Sequence, residues 1–72
     1  MEELRKKASD ALRREVSAYE VTQSVSAYCL LPADDLRKEL KLLQRHVKTS
    51  GVVNAPLLTV IDQLAIAIAV RN

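Results

Sequence analysis

An all-α fold is what this sequence predicts: a small three-helix bundle or a helical hairpin-like domain, dimeric through its C-terminal helix. Three observations predict it. Apolar residues recur at intervals of three and four along most of the 72 residues. Helix breakers are sparse: Pro32, Gly51 and Pro56 cut the chain into pieces of roughly 2–31, 32–50 and 54–71. Finally, 49% of the side chains are apolar, although a chain this short buries only about 60% of its unfolded surface. The surplus points to a second chain.

The first piece carries a helical stripe of Leu4, Ala8, Leu12, Val16 and Tyr19, flanked by the i,i+4 pairs Glu2–Lys6, Glu3–Lys7 and Asp10–Arg14. Val16-Ser17-Ala18-Tyr19 then recurs nine residues later as Val25-Ser26-Ala27-Tyr28. Nine residues on a helix amount to about 900°, half a turn beyond two full turns, so the copies face opposite ways. The pattern predicts a helix over residues 2–30 that either breaks near 20–24 or meets different partners along its length. A strand over Val21–Leu31 competes, given its Val, Thr and Tyr content.

The middle piece predicts a helix over 33–50. Pro32 suits the first turn, and Asp34 and Asp35 favour the positive helix end. Leu36, Leu40, Leu43 and Val47 form one narrow apolar stripe, Arg45, His46 and Lys48 lie near the C-terminus, and Gly51 is placed to end the helix. The last piece, 54–71, opens on Asn54 as N-cap with Pro56 in the first turn. From Leu57 to Ala69 its apolar residues cover an arc of about 200°. The alternation Ala65-Ile66-Ala67-Ile68-Ala69-Val70 also admits a strand, but continuity with Leu57–Leu64 and the alanine content favour a helix. With no low-complexity linker, residues 1–72 read as one small helical domain.

Composition excludes several functions. Eleven Lys and Arg against nine Asp and Glu leave +2, which demands no polyanionic partner. Cys29 is the single cysteine, so a reducing compartment is expected. The N-terminal residues lack the apolar stretch of a secretion signal, and the run Leu64–Val70 is far below the ~20 residues of a membrane span. A cytoplasmic protein without membrane contact is the expectation. Catalysis is poorly supplied: His46 and Cys29 lie on different pieces, a single glycine makes no phosphate loop, and no cluster of ligands suits a metal. No enzyme and no cofactor are expected.

The strongest polar signal is the middle helix, where Arg37, Lys38, Lys41, Arg45 and Lys48 fall within about 100° of one another, opposite the leucine stripe. Such a face suits nucleic acid phosphates or an acidic protein. Five cations with no aromatic residue among them are few for nucleic acid. Residues 42–64 have the outline of a helix-turn-helix, but no Lys, Arg or His lies between Gly51 and Val70 to read bases, and that motif fails.

The stretch from Val53 to Leu64, Val53-Asn54-Ala55-Pro56-Leu57-Leu58-Thr59-Val60-Ile61-Asp62-Gln63-Leu64, resembles the small biofilm and acid-stress regulators of the AriR type. In those an asparagine-led turn opens an apolar helix inside an all-α dimer. The resemblance covers under a fifth of the chain, and residues 1–31 share none of it.

The functional expectation is a small non-enzymatic regulatory or adaptor protein of the bacterial or phage kind. It would act as a homodimer or higher oligomer and bind a partner protein. The expected contact residues are Tyr19, Tyr28 and Leu42, with Leu57, Ile61, Leu64 and Ile68 pairing two copies of the last helix. One alternative is a nucleic-acid-associated regulator using Arg37, Lys38, Lys41, Arg45 and Lys48; another is an oligomerisation or docking segment of a larger protein.

Overall fold

The computed structural model describes residues 2–71, and among them every regular element is a helix. There are four: α1 (Glu2–Leu12), α2 (Ala18–Tyr28), α3 (Ala33–Ser50) and α4 (Ala55–Ala69). Both segments with a competing strand reading are therefore resolved toward helix.

The fourth helix arises because the first piece breaks earlier than its pattern predicts, between Leu12 and Ala18 rather than at residues 20–24. Arg13 takes a left-handed backbone conformation with φ of 55°, and the Arg14 N–H closes back on the Ser9 carbonyl at 3.3 Å. That is a Schellman-type ending, here without the usual glycine. Ser17 then caps α2, its hydroxyl accepting the Glu20 N–H at 3.1 Å. Ser9 holds the turn together: its hydroxyl donates to the Arg5 carbonyl at 2.8 Å and accepts the Val16 N–H at 3.0 Å. The signal for this break is in the sequence as Ser17-Ala18-Tyr19-Glu20, the Ser-x-x-Glu spacing of a capping box. Residues 20–24 lie inside α2.

The ends of α3 and α4 follow local rules. Pro32 stands at the N-cap of α3 in extended conformation, and Gly51, with φ of 70°, ends the helix as its N–H bonds the Val47 carbonyl at 2.9 Å. The Asn54 side chain accepts the Leu57 N–H at 2.9 Å, with Pro56 in the first turn.

The packing explains the broad apolar arc of α4. Helices α1, α2 and α3 each pack on α4, and α1 also packs on α2. One core gathers Ala8, Val16, Val21 and Ile66, covered by Leu4, Leu12, Val25 and Val70. The other gathers Leu36, Leu64 and Ala67, covered by Tyr28, Leu40, Leu43, Val60 and Ile68. A helix that serves two cores on adjacent faces needs apolar residues around more than half its circumference.

Two arginines fasten the ends. Arg14 donates to Glu20 at 2.8 Å and to Asp62 at 3.3 Å, tying the α1–α2 turn to α4. Arg71 donates to the Tyr28 carbonyl at 2.6 Å and to the Leu31 carbonyl, meeting backbone acceptors freed where α2 ends. The molecule is a slab of 36 × 25 × 17 Å. Its accessible area is 5019 Å², against about 4450 Å² for a compact monomer of this mass. Among the side chains left outside are Leu30, Leu42, Val52, Val53 and Leu58. None of the described helices is long and apolar enough to cross a membrane.

Candidate interaction surfaces

The first surface is the outer side of α4. Leu58, Ile61, Ala65 and Ile68 recur at three, four and three, so they share one face. Leu58 is 47% exposed and the other three are half-buried, a row of small and branched side chains running along the helix. Val52 and Val53, in the α3–α4 connection, extend this apolar area around the N-terminal end of α4, and both are exposed. Leu57 beside them is half-buried.

The pairing residues expected from the sequence divide accordingly. Leu57, Ile61 and Ile68 keep part of their surface, whereas Leu64 is buried and belongs to the chain's own core with Leu36 and Ala67. Leu64 is thus not available to a second copy. The arc of α4 is so broad that periodicity alone does not tell its inner from its outer leucines. The position the sequence reading missed is Leu58, one residue before Thr59 and assigned there to a general apolar arc.

The two tyrosines separate cleanly. Tyr19, in the first turn of α2, is 72% exposed. Tyr28, at the end of the same helix, packs against the core of Leu36, Leu64 and Ala67. Tyr19 is the tyrosine available to a partner. Leu30 is 93% exposed in the α2–α3 connection; it sits on no helical stripe, and only its place just ahead of Leu31-Pro32 signals it.

The second surface is the solvent face of α3. Arg37, Lys38, Lys41, Arg45 and Lys48 are all exposed there, as their helical spacing predicts. Arg37 donates to the Asp34 carboxylate at 3.2 Å. Leu42 is 59% exposed on the edge of this face, where it lines an open depression of about 290 Å³ with Lys38, Lys41 and Arg45.

A concavity of about 340 Å³ runs between α2 and α4 beside Tyr19, Gln23, Thr59 and Gln63. Arg14 forms part of its wall, already engaged by two carboxylates. Hydrogen bonding to Glu20 and Asp62 raises the Arg14 guanidinium above its ordinary pKa, and the same bond to Arg14 holds the Glu20 carboxyl below the usual 4.5. One guanidinium thus bridges two carboxylates from different elements, and the chemistry of the cluster is that of a structural clasp.

The groups considered for catalysis stay apart. Cys29 is exposed just beyond α2 and His46 is exposed on α3. Among the described residues no three or more His, Cys, Asp or Glu side chains gather where a metal would sit. No protein-family model matches the chain, and neither a curated protein nor a solved structure matches it.

Proposed function

We propose that this chain is a non-enzymatic interaction module, a small regulatory or adaptor protein that self-associates and modulates a partner protein. The observation that carries this reading is the apolar row of α4, Leu58, Ile61 and Ala65, continued by the core-covering Ile68, left partly in solvent by a helix that forms both cores. Scattered single apolar residues are normal on a surface, but a continuous row along the central helix is not.

The areas support pairing. The chain exposes about 570 Å² more than a compact monomer of its mass, and a stable dimer removes about 800 Å² from each partner. Two α4 helices related by a two-fold axis present the same row to each other, so every contact is made twice. Ala65 at the middle of the row lets the helices approach closely. Val52, Val53 and Leu57 extend the contact at its ends.

Light scattering should then give twice the 8.0 kDa chain mass. Leu58→Glu with Ile61→Glu should yield a monomer whose far-ultraviolet circular dichroism is still helical, because neither residue belongs to a buried cluster. A wild-type chain that stays monomeric at about 100 μM, some hundredfold above a micromolar dissociation constant, overturns the self-association.

A further inference from the structure

We infer that the outer face of α3 is a docking site for an acidic protein segment that carries an apolar anchor, with Leu42, on the edge of the basic strip, as its apolar contact. The inference deepens the reading of the chain as an interaction module by naming the partner's chemistry. It uses a face separate from the outer row of α4.

Charge and apolarity coincide there. Lys38 lies one turn before Leu42, Arg45 nearly one turn after it, and Lys41 beside it; all four line the same open depression. Among the described residues Lys38, Lys41, Arg45 and Lys48 have no carboxylate partner. The excess positive charge of the chain falls in residues 32–54, with five basic residues against three acidic. Of those three, Asp34 is taken by Arg37, while Asp35 and Glu39 are exposed on the flank of Leu42 away from the cations. From Lys38 to Lys48 the cations extend along about 15 Å of helix. They therefore offer a positive strip to carboxylates spaced along a partner.

Leu42 decides between two polyanions. Phosphates would meet the lysines but leave the exposed leucine against nothing, and four or five phosphate contacts bind weakly at physiological salt. An acidic segment with a leucine or similar side chain satisfies both: its anchor covers Leu42 and its carboxylates meet the cations along one side of it. Contacts of this kind concentrate energy in the central apolar group, while the charged rim sets encounter rate and selectivity.

The test is a fluorescently labelled helical peptide of about 18 residues, some 27 Å long, with leucines along one face and glutamates along one flank of it, titrated with the full chain at low and at physiological salt. Binding is read by anisotropy and mapped by amide chemical shifts. Shift changes should centre on Lys38–Arg45, and Leu42→Ala should weaken binding about tenfold. Lys41→Glu with Arg45→Glu should weaken it by at least as much, with the light-scattering mass unchanged. Loss of mass in that variant would implicate the pairing surface and overturn the separation of the two faces. A duplex DNA probe that binds tighter than the peptide at the same salt, insensitive to Leu42→Ala, overturns the proposal in favour of phosphate recognition. No peptide binding at millimolar concentration, or shifts centred on α4, overturns it outright. A monomeric wild-type chain that still binds the peptide on α3 removes the dimer and leaves this site standing.

Discussion

Replacing Leu64 by alanine separates the inner from the outer face of α4. Leu64 is 1% exposed and packs with Leu36 and Ala67 at the junction of α3 with α4. Truncation removes three carbons' worth of buried surface, about 2 kcal/mol of transfer free energy, and leaves a cavity that brings the total to about 3–4 kcal/mol. A core this small supplies about 3–5 kcal/mol in all, so the variant should be largely unfolded near room temperature. Its midpoint should fall by roughly 15 °C or more. Leu64→Met, which conserves volume, should cost less than about 1.5 kcal/mol and confirm that packing is at stake. The assay is thermal unfolding by circular dichroism at about 5 and 500 μM chain. A residue of the chain's own core costs the same free energy at both concentrations, whereas a residue of the pairing surface acts through mass action and its cost varies with concentration. Two results would refute the assignment: a loss below about 1 kcal/mol, or a loss that vanishes at the higher concentration.

Three further outcomes follow from the junctions. Ser9→Ala strands the Val16 N–H and should cost about 1–2 kcal/mol, with faster hydrogen exchange at the Val16 amide; unchanged exchange would mean another acceptor takes over. Gly51→Ala should cost about 1 kcal/mol, because the strain lies in the φ of 70° while no atom lies within 4 Å of an added Cβ; a neutral result in urea unfolding contradicts that. The Glu20–Arg14 pair should make stability acid-sensitive. The native Glu20 carboxyl is held below 4.5 by hydrogen bonding to Arg14, so its contribution is complete above the unfolded value and disappears as pH falls through the depressed native one. Its side chains are 39% and 43% exposed, which limits the effect to about 0.5 kcal/mol. Glu20→Gln should remove that part of the decline between pH 5 and pH 3, about where an unperturbed glutamate titrates; an identical pH profile would count against the clasp.

The surfaces were unequally legible in the sequence. The basic face of α3 and the exposure of Leu42 follow from spacing alone, because α3 has a single narrow stripe and everything off it faces water. On α4 the same reasoning fails. Its apolar residues surround most of the helix, so the expected pairing set joins buried Leu64 to the half-buried Leu57, Ile61 and Ile68 and leaves out the exposed Leu58. Nor does the recurrence of Val-Ser-Ala-Tyr tell which tyrosine is outside: Val16 and Ser17 of the first copy precede α2, so the copies do not share one helix.

By itself the sequence determined the helical class, both ends of α3 and the start of α4. Each depends on groups a few residues apart: Pro32 and Gly51 around one stripe, Asn54 reaching Leu57. The break of the first piece has a local mark in Ser17 and Glu20 but is secured from outside it, and only the tertiary structure decided which leucine of α4 is inside. The break is held by Ser9 with Val16, and by Arg14 with Asp62, forty-eight positions away. Helical periodicity fixes the angles of side chains relative to one another, but the direction of the neighbouring helices sets which angle is buried. For α4 that direction is supplied by three other helices packed around it.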